Sequence, residues 1–171
     1  MKQELRIGGI FTYEHIRDGK IIDTWEEPNL VVDEGLNLII NVAFGVVAKP
    51  GQTYVGIYAN NYTPLAANVM STFPGVGVAG EVTTEISNTT RPAWAGYSAP
   101  ATTTKSLSNS ASPAIFSFTA GASVNGAFLA SNSAKAGTTG VLFAASKFPA
   151  TRTMLTGDVL SVIYTISVAS V

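Results

Sequence analysis

Asn29-Leu-Val-Val-Asp-Glu-Gly-Leu-Asn-Leu-Ile-Ile-Asn-Val-Ala-Phe44 is the one stretch of this 171-residue chain that reads convincingly as a helix. Leu36, Ile39, Ile40, Ala43 and Phe44 recur at the i, i+3, i+4, i+7, i+8 spacing that places apolar side chains on one helical face. Asp33 is suited to cap the first turn, because its carboxylate can accept a hydrogen bond from an unpaired backbone N–H. Gly45 stands where a left-handed residue would end the helix. Gly35, inside the first turn, costs about 1 kcal/mol against alanine, so tertiary packing must hold the helix. The surrounding sequence is strands and turns. A helix over 33–44 is therefore expected to plug one end, or cover one face, of a β-sheet core.

Upstream, Ile7, Ile10, Phe11, Tyr13 and Ile16 are strand formers. Asp18-Gly19 is a two-residue turn signal, and Lys20 to Trp25 returns as a second strand, so residues 6–26 read as a β-hairpin. Its charged side chains suit a solvated edge that resists unwanted pairing. Pro28 ends it.

Downstream, Thr53 to Ala59 reads as a core strand, with Val55 and Ile57 on one face and Tyr54 and Tyr58 on the other. Gly56 in its middle signals a bulge or a close backbone approach. Asn60 to Gly80 reads as a long loop with one helical turn at Leu65 to Met70, and loops of that length are usually functional. Further strands are expected at Val82–Ile86, Lys105–Ser108, Ala114–Thr119, Ser123–Ala130, Val141–Lys147 and Val159–Ala169. Lys105–Ser108 should pair with Ala114–Thr119 across Asn109-Ser-Ala-Ser-Pro113, and Tyr97 to Thr104 reads as a polar loop. Eight or nine strands at a spacing of about ten residues argue for one mainly β domain, an antiparallel sandwich or jelly roll. The plan is a hairpin at 6–26, a helix at 33–44 and the remaining strands over 53–169. No fixed-period repeat points to a solenoid.

Hydrophobic residues make up 46% of the chain and charged ones 12%, about half the usual charged share. Residues 1–34 hold eight of the acids against four bases, while the other 137 residues hold only Glu81, Glu85 and Asp158 against six bases. So long a stretch poor in charge suits contact with other protein, since charge is depleted at interface cores. A net charge of −1 without a basic run gives nucleic-acid binding little support. The absence of cysteine excludes disulfides and thiolate chemistry. Met1 to Arg6 lacks the apolar core of a signal peptide, and no apolar run reaches membrane-spanning length. A chain made in a cytoplasm and soluble until it assembles is expected, without a membrane partner.

Candidate chemistry is sparse. His15 is the only histidine, and no Gly-x-Ser-x-Gly elbow accompanies it. One histidine without cysteine does not make the usual zinc cluster. Glu26-Glu27, Asp33-Glu34 and the pair Glu81 and Glu85 could on paper serve glycoside hydrolysis, but solvated charges at strand and helix starts account for them more simply. Gly75-Val-Gly-Val-Ala-Gly80 has the glycine spacing of a phosphate loop without the strand and helix that loop needs. No catalytic, metal-binding or cofactor-binding residue is assigned.

Arg91-Pro92-Ala93-Trp94 is the most distinctive short segment. Arg and Trp dominate interface hot spots, so Arg91 and Trp94 are candidates for a subunit contact. The alternative is that Trp94 fills the core while Arg91 stacks over it or pairs with Glu85. The 60–80 loop is apolar and uncharged, with Leu65, Val69, Met70, Phe73, Val76 and Val78. Exposed apolar loops usually mark contact surfaces, which makes Leu65, Met70 and Phe73 candidates, Phe73 as the anchor. The competing reading folds the loop back over its own sandwich.

The whole-chain order carries a resemblance. A hairpin ending in Trp25-Glu-Glu leads into Asn29-Leu-Val-Val-Asp-Glu-Gly-Leu-Asn37. There follow Tyr54-Val-Gly-Ile-Tyr58, Tyr62-Thr-Pro64, Thr90-Arg-Pro-Ala-Trp94, Asn109-Ser-Ala-Ser-Pro113, Gly-Ala-Phe-Leu and Gly157-Asp158. The series resembles small structural proteins of tailed bacteriophages, including capsid cement (decoration) proteins. That resemblance implies a virion protein on the capsid surface that is not an enzyme and has no cofactor. Its partners would be the major capsid protein and copies of itself, as a dimer or trimer. The second reading is a tail or fibre component that binds host-surface glycans.

Overall fold

In the computed structural model, which describes residues 4–95 and 105–170, two five-stranded antiparallel sheets pack face to face. The first hairpin is β1 (Leu5–Arg17) and β2 (Lys20–Pro28). Asp18 and Gly19 between them both take positive φ, 50° and 73°, as a tight two-residue turn requires. A short β3 (Leu30–Val31) leads into α1 (Asp33–Phe44). Then come β4 (Thr53–Tyr58), β5 (Ala93–Trp94), β6 (Ser106–Ser108), β7 (Ala114–Ser117), β8 (Ala122–Ala130), β9 (Leu142–Met154) and β10 (Val159–Ser170).

The first sheet runs β2-β1-β10, and the far edge of β10 is shared by β7 and β6. The second runs β3-β9-β8-β4-β5. Phe11, Tyr13, Phe116, Leu160, Val162 and Tyr164 of the first sheet meet Val55, Ile57, Leu129 and Phe148 of the second in the main core. Tyr13 stacks on Trp25 at 5.1 Å and takes the edge of Phe148 at 4.6 Å, geometries that aromatic quadrupoles favour.

A second, smaller cluster covers the other face of the β9-β8-β4 sheet. Along β8, Leu129 points into the main core while Phe128 and Ala130 point away from it, as strand alternation dictates. Met70 and Phe73 of the 60–80 loop pack on Phe128 and Tyr58 there, with the Phe73 and Phe128 ring centroids 5.4 Å apart. Gly56 of β4 lies under the Phe128 ring, and any side chain there would collide with it. The expected close approach at Gly56 is thus real.

Several expectations need correcting. Val82–Ile86 forms no strand; isolated bridges, Tyr58 to Glu81 and Ile86 to Phe118, and single backbone bonds such as Val82 N–H to Ile57 O tie the region in. β6 and β7 do not pair with each other, because each takes a different half of long β10. Leu65 to Met70 holds turns in place of a helical turn. β9 runs on to Met154 where a strand ending at Lys147 was expected. Its register against β8 jumps between Lys147 and Arg152, around Pro149, which has no N–H for the ladder. Asn125 fills the gap, donating to Ala59 O and accepting from the Thr151 hydroxyl. The Tyr97–Thr104 loop lies outside the described residues.

The helix spans the expected residues with different ends and a different inner face. Val32 is the N-cap, and no side chain caps the first turn. Asp33 instead donates its N–H to Ala66 O at 2.9 Å. Gly45 is extended, at φ −100°, not left-handed. Ile40 and Phe44 point to solvent, 59% and 88% exposed, while Gly35 is the fully buried helix residue. A Cβ at Gly35 would fall on the Phe143 carbonyl and within 2.8 Å of its Cα. The smallest residue sets how close the helix comes, so the inner stripe runs Gly35, Leu38, Ile39, Val42.

Candidate interaction surface

The N-terminal turn of α1 is anchored from three sides. The Glu34 carboxylate accepts from the backbone N–H of Met70 at 2.8 Å and of Leu142 at 2.7 Å, and Val32 donates to Phe143 O. These bonds join the 60–80 loop, the helix and β9. The acids of this turn also complement the positive end of the helix dipole.

Among the described residues, the C-terminal half has no such anchors. Phe44 and Val46 stand almost fully in solvent, and Ile40 and Val47 are about half exposed. No charged residue occurs from Gly35 to Ala48. Burying such side chains recovers about 25 cal/mol per Å², and large exposed apolar patches mark interaction sites.

The residues singled out from sequence fall elsewhere. Met70 and Phe73 are fully buried in the chain's own second cluster, so the fold-back reading of the loop holds and neither presents an anchor to a partner. Leu65 is the exposed member of the set, at 57%. Trp94 is buried, and its indole N–H donates to Tyr164 O at 2.9 Å. Arg91 is also inside, but its partners differ from those expected. Its guanidinium makes a bidentate pair with Glu81, at 2.8 and 2.7 Å, and lies 5.2 Å from the Phe128 ring centre. It also donates to Asn132 O and Gly137 O. Glu81 accepts the Ala136 N–H as well, so both charges are spent on pinning the 131–140 loop. An arginine so satisfied is structural.

A second buried ionic group was not foreseen. Asp158, in the turn before β10, accepts Arg17 Nε and Nη2, both at 2.7 Å, the Leu155 N–H at 2.8 Å, and contacts His15 Nε2 at 2.8 Å. The Arg17 bonds, with help from Leu155 and His15, hold its carboxyl well below the usual carboxylate range. The residues lie more than 140 positions apart in the chain, so no local pattern announces them. No nucleophile is bonded to this His-Asp pair among the described residues, and it serves to fasten the turn to β1.

Among the described residues, no group of three or more His, Cys, Asp or Glu could hold a metal ion, and no helix is long and apolar enough to cross a membrane. No protein-family model matches the chain, and a search of curated proteins found no match.

Proposed function

We propose that this chain is a structural protein of a bacteriophage virion, a cement protein that binds and stabilises the major capsid protein shell. The observation that supports it best is the uncharged apolar end of α1, with Phe44 88% exposed beside Ile40, Val46 and Val47. A side chain of that size costs free energy in water and recovers it against another subunit. Modest apolar contacts, repeated over many copies on a shell, add up through multivalency. The scarcity of charge after residue 34 suits a chain that works pressed against protein.

Co-sedimentation with shells assembled without it tests the reading. The native chain should pellet with shells. Phe44→Asp should stay folded, with an unchanged melting temperature, and lose at least about tenfold in affinity, the effect of removing an interface anchor. Equal pelleting of the two proteins would remove α1 from the contact, and no pelleting of either would remove the capsid. Light scattering at micromolar concentration then reports whether the free protein is the expected dimer or trimer.

A further inference from the structure

Helix α1 is fastened at its N-terminal turn, and side chains of its middle and C-terminal half line a cavity against the sheets. The space beneath is a cleft of about 350 Å³, within the range of small-molecule sites. Leu38 and Val42 of the helix form its roof, Phe143 a side, and Leu129, Tyr164 and Ile166 reach it from the two sheets. A shallower depression of about 400 Å³ shares Ile39, Leu107 and Ile166 with it as lining.

The polar groups are few and mostly committed. The Trp94 N–H is bonded to Tyr164 O, and the Gln52 amide nitrogen to Thr53 O and Trp94 O. Among the described lining residues, Lys49 is the only charged group of the cleft and Lys105 of the depression. Neither is in an ion pair among the described residues. The lining is mostly aliphatic and aromatic, which suits an alkyl chain better than a sugar or a nucleotide. Two lysines at the lining, in no ion pair among the described residues, favour an anion.

We propose that this cleft binds a single-chain anionic amphiphile, an alkyl carboxylate whose tail lies between α1 and the sheets and whose head group meets Lys49. The site is separate from the exposed outer face of α1 and does not depend on the capsid reading.

Trp94 in the wall is one of only two tryptophans, so its fluorescence reports occupancy. Titrating octanoate, decanoate and dodecanoate below their micelle concentrations should give affinities that rise about fourfold per added methylene until the cleft is full. Val42→Trp, which fills the cleft from a partly buried helix position, should abolish binding. Lys49→Gln, at an exposed site that cannot unfold the chain, should weaken decanoate about two- to fivefold and leave decanol unchanged. Absence of saturable binding, no dependence on chain length, or equal effects of Lys49→Gln on decanoate and decanol would each overturn the proposal. Flotation with phosphatidylglycerol vesicles, without binding of the free carboxylates, would also overturn it by assigning the face to a membrane surface.

Discussion

Asp158 is 1% exposed and is held by the Arg17 guanidinium, His15 Nε2 and a backbone N–H, so its ionised form belongs to the folded state. Its folded pKa lies below the value of about 3.9 in an unfolded chain. The stability it contributes is therefore fully present above pH ~4 and is lost as pH falls from there towards the folded pKa. Asp158→Asn should cost about 1–3 kcal/mol near neutrality, because Arg17 loses its charged acceptor and the Leu155 N–H part of its own. Thermal melts should show the gap between the two proteins narrowing as the pH drops below about 4. A gap independent of pH would mean that packing, not charge, holds this turn. None of this was legible in the sequence, where His15 is an isolated hairpin residue and Asp158 an ordinary turn acid. Arg91 was legible in part: its isolation among uncharged residues marked it, but the choice of Glu81 over Glu85 depends on how the 81–91 segment crosses the sandwich.

Helix α1 shows how an element can be found while its orientation is missed. Its apolar residues are so dense that two overlapping stripes satisfy the helical period, and hydrophobicity cannot choose between them. The choice is made by Gly35, whose missing side chain lets the helix backbone rest on Phe143. Gly35→Ala should therefore destabilise by about 1–3 kcal/mol through overpacking, despite a helix-propensity gain of about 1 kcal/mol. Ile40→Asp, on the stripe that sequence placed inside, should change stability by less than about 0.5 kcal/mol as a surface substitution. Denaturant midpoints decide between the stripes, and the reverse ranking would put Ile40 back in the core. The hairpin was readable because Asp18-Gly19 encodes the turn, although the register shift between His15 and Ile16 was not. The β6 and β7 pairing was not, because three- and four-residue strands carry no signal for which neighbour they join.

At the scale of the whole molecule, regular strand spacing and turn residues sufficed for a mainly β sandwich with one helix. What they did not show is that the sandwich carries a second apolar layer. The 60–80 loop looked like a contact surface because it is apolar, but its Met70 and Phe73 are spent on the outer face of the second sheet, while Leu65 and Val76 stay exposed. Phe73→Ala should cost about 3–5 kcal/mol, the range for removing a buried phenylalanine, and a melt close to the native protein's would return the loop to the surface. With that loop accounted for, the exposed end of α1 is the apolar surface that most needs a partner. Cryo-electron microscopy of phage particles assembled with this chain tests the proposed role most directly. The account predicts the sandwich on the outer capsid surface, with Phe44 and Val46 covered by a neighbouring subunit. Density for the chain in a tail or fibre, or on the capsid with that end of α1 facing solvent, would contradict it.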